Sequence, residues 1–177
     1  MDKLSATAQK FVLHWGEMGT RWGINRTVAQ IHALLYISSQ PLHAEEITET
    51  LGVARSNVST SLHELQGWGI VRVVHVLGDR RDHFEAMKDV WEMFQVILNE
   101  RKRREIDPTR ALLKDCVAEA QKSGSSESLE RERLGELLEF FETMNSVYDQ
   151  FHTLSPATLR KFARAGDKVK KVMKLIS

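Results

Sequence analysis

The chain has 177 residues, of which 42% are hydrophobic, and its 25 Lys and Arg against 24 Asp and Glu leave a net charge of +1. This content is enough for a core that folds without disulfides, and the single cysteine, Cys116, excludes an intramolecular one. Because no apolar run is long enough to cross a bilayer and the N-terminus lacks the pattern of a secretion signal, we expect a cytoplasmic protein without a membrane partner.

An amphipathic helix is predicted at the N-terminus, where apolar residues recur at alternating steps of four and three. Gly16, Gly19 and Gly23 interrupt the pattern. Because a lone helix does not stay folded in water, this stripe must pack against another helix, either of this chain or of a second subunit. The stripe consists of Leu4, Ala8, Phe11, Trp15, Met18 and Trp22.

A second helix is predicted to begin after Asn25, a good N-cap, and to end near Ser38, with Pro41 in the loop beyond. His32 and Tyr36 lie one turn apart on this helix. Both core packing and a ligand contact are compatible with their spacing, and core packing is the commoner use of such residues.

Residues 42–88 hold the clearest pattern in the chain, beginning with two short helices joined by a tight turn. The first is predicted over residues 43–51 and is closed by Gly52, which can adopt the left-handed backbone conformation that such a turn requires. The second is predicted over residues 54–66. Its apolar face is formed by Val58, Leu62 and Leu65.

The other face of this second helix carries compact hydrogen-bonding side chains. A helix exposed only to solvent usually carries Glu and Lys instead. Short donors and acceptors are suited to base edges and phosphates when a helix lies in the major groove. The predicted DNA-contacting residues are Arg55, Ser56, Asn57, Ser59, Thr60 and His63.

A β-hairpin is predicted to follow, with one strand over residues 70–77, a turn over 78–81 and a returning strand over 83–86. Arg72 lies on the first strand, and Arg80 and Arg81 lie at the tip. Arginines at the turn of a β-hairpin are suited to a narrow minor groove, where the negative potential of DNA is highest. A merely solvated turn is the alternative, and the preceding helix pair favours DNA.

These segments resemble the MarR family of winged-helix transcriptional regulators, and specifically its GbsR-like branch. The motifs that carry the resemblance are "LGVARSNVS", the helix exit "L-x-x-L-x-x-W-G-I-V" and the wing "GDRRD". The resemblance implies a homodimeric, cytoplasmic, sequence-specific DNA-binding regulator. Members of this branch control glycine betaine and choline metabolism or osmoprotectant uptake.

Two positions depart from the MarR pattern. Ala54 opens the recognition helix where Ser is common, and an Ala N-cap costs about 1 kcal/mol relative to Ser. Residues 86–89 read Ala-Met-Lys-Asp in place of the Leu-Thr-x-x-Gly that commonly follows the wing. The second departure favours the GbsR-like branch.

The half of the chain that contains the predicted DNA-binding helices is not broadly basic. Residues 1–90 carry 9 Lys and Arg against 10 Asp and Glu, whereas residues 91–177 carry 16 against 14. We therefore expect low, steeply salt-dependent non-specific affinity and positive groups concentrated on one face. Those groups are Arg55, Arg72, Arg80, Arg81 and Lys88.

The C-terminal half is predicted to be helical. One helix over residues 90–106 ends in the basic cluster 101–104, another runs from Asp107-Pro108 to about residue 122, and a linker at 123–126 precedes the longest helix. A last basic helix is predicted over residues 155–176. The longest helix carries an apolar stripe that suits either a helical hairpin or a dimer interface, and palindromic operators favour the dimer. The stripe consists of Leu134, Leu137, Phe141, Met144, Tyr148 and Phe151.

The sequence thus predicts a mainly α protein with a small β-hairpin, in which a winged helix-turn-helix is flanked by dimerisation helices. We assign an N-terminal dimerisation helix to residues 1–24, the DNA-binding domain to 25–89 and a dimerisation and effector region to 90–177. The expected function is a regulator that binds a palindromic operator as a homodimer. The alternative is a winged-helix protein-interaction module without specific DNA binding.

The seven histidines are scattered, and no Cys-x-x-Cys, phosphate-binding glycine loop or nucleophile elbow is present. We therefore expect no metal, no cofactor and no enzymatic activity. A choline-like or betaine-like effector is a further expectation from the resemblance, since aromatic faces hold quaternary ammonium groups. The same aromatic residues are more often used in the core and in interfaces. The candidate effector-binding residues are Trp15, Trp22, Tyr36, Trp91 and Tyr148.

Overall fold

The computed structural model describes residues 4–122 and 128–165, which divide between Val96 and Ile97 into two compact units. Within these residues no helix is long and apolar enough to span a membrane. The first unit is a winged helix. Its helices are α1 Ala6–Arg21, α2 Arg26–Ile37, α3 Ala44–Leu51 and α4 Arg55–Gly67, its strands are β1 Leu42–His43, β2 Val71–Val74 and β3 His83–Ala86, and α5 Val90–Arg101 crosses the unit boundary.

Helix α2 is the centre of the first unit, because it packs against α1, α3, α4 and β3. Asn25 caps it as predicted, its Oδ1 accepting a hydrogen bond of 2.8 Å from the Thr27 amide. Most of its length is buried, as expected of a helix that is covered on several sides. Its buried residues are Val28, Ala29, Ile31, His32, Ala33, Leu34 and Leu35.

The glycines of α1 do not interrupt the helix, contrary to the sequence prediction. Gly16 and Gly19 are buried on the face that packs on α2, together with Val12. A Cβ on Gly19 would lie 2.5 Å from the Cβ of Ala29, so glycine permits the close approach of the two helices. The predicted aromatic stripe is a different face and stays partly exposed, with Trp22 at 55%.

The sheet has three antiparallel strands in the order β1-β3-β2, one strand more than the predicted hairpin. Strand β1 has two residues, too short for a periodic pattern to reveal it. The first wing strand ends at Val74, not at residue 77, because the exposed Val76 and Leu77 belong to the turn. The returning strand His83–Ala86 has the predicted bounds.

His32 is a core residue, 4% exposed, and its Nε2 has no hydrogen-bond partner in the described part of the chain. Burial, with a smaller contribution from the Lys88 charge, lowers the pKa of His32 from 6.5 to about 4. Below pH 6.5 the unfolded chain therefore binds a proton that the folded chain does not. The free energy of unfolding therefore carries no penalty from His32 above pH 6.5, and it decreases as the pH falls towards 4.

We expect His32→Leu to remove this dependence, which amounts to about 3 kcal/mol of unfolding free energy between pH 6.5 and 4. Urea unfolding at a series of pH values measures it. The exposed His63→Gln variant is the control and should keep the wild-type profile. A His32→Leu variant that loses as much stability as wild type over this range would contradict the assignment.

The second unit contains the π-helical turn Lys102–Ile106 and the helices α6 Asp107–Lys122, α7 Ser128–His152 and α8 Pro156–Arg164. The predicted break at Asp107-Pro108 is wrong, since Arg101 and Asp107 both have α-helical backbone angles. Pro108 has no N–H and its ring crowds the preceding turn. The Asp107 amide instead donates to the Lys102 carbonyl, and this wider turn accommodates the proline without ending the helix.

Helix α7 is the longest helix, as predicted, but its apolar residues form two faces. Leu134, Phe141 and Tyr148 are half-buried at steps of seven on one face, where Tyr148 lies against Lys102. The other half of the predicted stripe belongs to a second, exposed face, which we call the outer stripe. It consists of Leu137, Phe140, Met144, Val147 and Phe151. The predicted linker 123–126 and the predicted last helix beyond residue 165 lie outside the described residues.

Candidate nucleic-acid interface

Helix α4 presents the predicted polar side chains on one open surface. Val58, Leu62 and Leu65 are almost completely buried on its inner face, which fixes the helix against α2 and α3. A rigid helix with an apolar inner face and an exposed face of short donors and acceptors has the form of a major-groove reader. The exposed residues are Arg55, Ser56, Asn57, Ser59, Thr60 and His63.

The N-terminus of α4 is uncapped, as the Ala54 departure predicts. Ala54 has the extended backbone of an N-cap but makes no side-chain cap hydrogen bond. Its neighbour α3 shows the opposite arrangement, a capping box in which His43 and Glu46 exchange hydrogen bonds with each other's backbone. The positive end of the α4 dipole is thus left for a solvent or phosphate oxygen.

Asp79 organises the wing tip. Gly78 has a φ of 86°, a conformation that favours glycine, and the Asp79 carboxylate then accepts hydrogen bonds from the Arg81 amide at 3.0 Å and the Arg81 Nε at 2.9 Å. This contact holds the pKa of Asp79 well below its usual range and raises that of Arg81. The Arg81 guanidinium is therefore fixed in direction and remains about half exposed.

The other two predicted wing arginines differ in their environment. Arg80 is exposed, and the described structure gives it no ion pair or side-chain hydrogen bond. Arg72 pairs with Glu85 across β2 and β3 and remains 78% exposed. Arg80 is thus the wing cation that can reach an external anion without breaking an internal contact.

Glu45, which the sequence analysis did not single out, lies between the wing and α4. Its carboxylate is 3.6 Å from Arg55 Nη2 and 3.4 Å from Arg81 Nη1. An acidic residue in the first turn of a helix is ordinary, because it complements the helix dipole. Local sequence therefore gave no signal that this side chain connects two separate elements.

Two buried histidines form the base of the wing. The rings of His43 and His83 meet edge to face at 5.5 Å, and His83 Nδ1 lies 3.0 Å from the Arg81 carbonyl oxygen. Asp79 lies 3.6 Å from His83 Nε2. Within the described ranges, no cluster of His, Cys, Asp and Glu has the geometry to hold a metal ion. Through the contact between their rings, the two histidines connect the wing to β1.

Lys88, expected among the positive groups of the DNA face, has a structural contact instead. Its Nζ donates to the carbonyl oxygens of Leu35, Tyr36 and Ser38 at 2.8, 2.8 and 3.0 Å. The ammonium satisfies carbonyls at the C-terminus of α2, and partial desolvation lowers its pKa.

The candidate effector residues occupy separate environments. Trp15 packs on Phe11 with ring centroids 5.5 Å apart, and Trp91 is half-buried. Tyr36 and Tyr148 each face a cation of the chain, Lys88 Nζ at 5.8 Å and Lys102 Nζ at 5.4 Å from the ring centroids. Trp22 is exposed. Both tyrosine faces thus already accept an ammonium group.

Residues 22–82 match the sequence model of the MarR family. This segment of the chain therefore resembles the MarR family and has the winged-helix fold. The matched segment covers α2, α3, α4 and most of the wing. The resemblance inferred from "LGVARSNVS" and "GDRRD" is confirmed.

Two further comparisons extend over more of the chain. The chain is 24% identical over 125 residues to "HTH-type transcriptional repressor GbsR" of Bacillus subtilis (strain 168), covering 71% of this chain and 69% of the relative. A crystal structure described as that of a transcriptional regulator superposes with a TM-score of 0.60 at 22% identity, covering 82% of this chain and 95% of the other. The latter shows a shared fold.

Proposed function

We propose that the chain is a sequence-specific DNA-binding transcriptional regulator that acts as a homodimer on a palindromic operator. The observation that carries the proposal is the outward polar face of α4 above a fully buried apolar face. The MarR family match and the likeness to a protein named as a transcriptional repressor support it.

In this proposal α4 lies in the major groove, where Arg55 and Asn57 contact base edges and the hydroxyls contact bases or phosphates. The wing follows the adjacent backbone and minor groove through Arg72, Arg80 and Arg81. Arg80 is the leading wing contact, because it is exposed and without an ion pair in the described structure. The remaining contacts on α4 are assigned to Ser56, Ser59, Thr60 and His63.

The outer stripe of α7 supports the homodimer. Its five large apolar side chains repeat at steps of three and four, the spacing of a helix seam that packs against another helix, and are 40–58% exposed in the single chain. A second copy would cover the stripe and pair two α4 helices. Such a pair would bind two operator half-sites that lie about 34 Å apart on one side of the duplex.

A quaternary ammonium such as choline or betaine is the proposed effector, and the candidate contacts are Trp15, Trp22, Tyr36, Trp91 and Tyr148. The support is the resemblance to the GbsR-like branch and the ability of aromatic faces to hold a quaternary ammonium. At Tyr36 and Tyr148 the effector would have to displace the lysine ammonium groups that these rings now face.

The test is a titration of purified protein against duplexes enriched from a random pool and against unselected duplex at about 50 mM salt, where phosphate contacts are strongest. We expect selective binding, and a change in operator affinity and Trp fluorescence when choline is added. Equal affinity for both duplexes would favour the protein-interaction alternative. Selective binding without a response to choline would contradict the proposed effector and leave the proposed DNA binding in place.

A further inference from the structure

The Glu45 carboxylate contacts both elements that are proposed to bind DNA, helix α4 and the wing. Glu45 lies in the first turn of α3, with Oε1 at 3.6 Å from Arg55 Nη2 at the start of α4. Its Oε2 is 3.4 Å from Arg81 Nη1 at the wing tip. One anion thus faces two of the four arginines that the proposed interface contains.

The geometry of this contact resembles the one that a DNA phosphate would make. Guanidinium groups bind carboxylate and phosphate oxygens in the same way, so on unselected duplex, where Arg55 has no matching base edge, Glu45 and a phosphate compete for Arg55 and Arg81. Arg81 is held further by Asp79, whereas Arg80 faces no carboxylate in the described structure. Arg80 and Arg81 are adjacent in the chain, so the wing tip carries one cation that faces no carboxylate and one that is already paired.

We propose that Glu45 is a positioning residue that limits sequence-independent DNA binding by occupying Arg55 and Arg81. This inference rests on the proposed DNA-binding function. Non-specific affinity comes from phosphate contacts, so an internal carboxylate on two of the available cations lowers it. The negative balance of residues 1–90 has the same consequence, and Glu45 places one of those charges at the arginines themselves.

Glu45→Gln tests the proposal, because it removes the charge and keeps the shape. We expect affinity for unselected duplex to rise roughly 2- to 30-fold, the range that two exposed ion pairs span. The slope of log K against log salt should become steeper by about one to two, as Arg55 and Arg81 each become available to a phosphate. Fluorescence anisotropy between about 50 and 200 mM salt measures both quantities.

Glu49→Gln is the matched control. Glu49 is an exposed residue of the same helix, and the described ion pairs do not connect it to Arg55 or Arg81. This variant makes the same change in net charge, and we expect its salt slope to equal that of wild type. In a background with both Arg55→Ala and Arg81→Ala, Glu45→Gln should no longer change the slope.

The outcomes separate this inference from the function on which it rests. Wild-type protein that binds no duplex at low salt would contradict the proposed function. Wild-type protein that binds duplex, with Glu45→Gln and Glu49→Gln indistinguishable in slope and affinity, would overturn the role of Glu45 alone. A Glu45→Gln variant that binds more weakly than wild type would also overturn it, since the carboxylate would then assist binding.

Discussion

Met144→Glu is expected to dissociate the proposed homodimer and to weaken operator binding with it. Met144 lies in the middle of the outer stripe of α7 and is 49% exposed in the single chain. In a two-fold dimer the substitution would place two unpaired carboxylates in the buried seam. We expect the dimer dissociation constant to rise by at least about 100-fold, equivalent to about 2.7 kcal/mol. Sedimentation velocity at micromolar concentration measures the change.

Ser146→Glu provides the control for Met144→Glu. Ser146 is exposed on the same helix but lies outside the outer stripe, so it adds the same charge without entering the seam. We expect this variant to sediment as wild type. A wild-type protein that is already monomeric at micromolar concentration, or a Met144→Glu variant that remains dimeric, would show that α7 does not carry the interface.

Replacing Arg80 and Arg81 together with Ala is expected to produce the largest loss of DNA affinity at the wing. Each arginine that neutralises a phosphate contributes about 0.9 to the salt slope, so the double variant should lose about one through Arg80, and up to about two where a phosphate also displaces Glu45 from Arg81. Arg80 should contribute to DNA affinity because it has no ion pair in the described structure that a phosphate would have to displace. The loss of Arg81 also leaves the Asp79 and Glu45 carboxylates uncompensated near the phosphates.

Arg133→Ala is the control for the wing variant, because Arg133 is an exposed arginine of α7 that pairs with Glu136. It should leave duplex affinity unchanged. If the double wing variant keeps both the affinity and the salt slope of wild type, Arg80 and Arg81 are solvated turn residues. The protein-interaction alternative would then be favoured.

The bounds and the two faces of helix α4 could be predicted from sequence because they depend on the spacing of neighbouring residues. The buried spacing of Val58, Leu62 and Leu65 and the exposed polar face follow from the helical period alone. The uncapped start at Ala54 and the left-handed turn at Gly52 are likewise properties of single residue types.

The features that sequence reasoning missed depend on partners that are distant in the chain. Gly19 looks like a helix breaker until Ala29 is placed against it, and β1 becomes a strand only through its pairing with β3. The Glu45 carboxylate lies 10 residues from Arg55 and 36 from Arg81 in sequence. The contact of Lys88 with the end of α2 was missed for the same reason, since its acceptors lie some 50 residues earlier.

The most direct test of the central claim is the effect of Asn57→Ala on binding to a panel of operators that each carry one altered base pair. If α4 reads bases, the variant loses discrimination at one symmetric pair of positions, about 1–3 kcal/mol per contact, and keeps its salt slope. The exposed Gln66→Ala variant should keep the wild-type preferences. A uniform change across the panel, or none, would contradict base reading by α4.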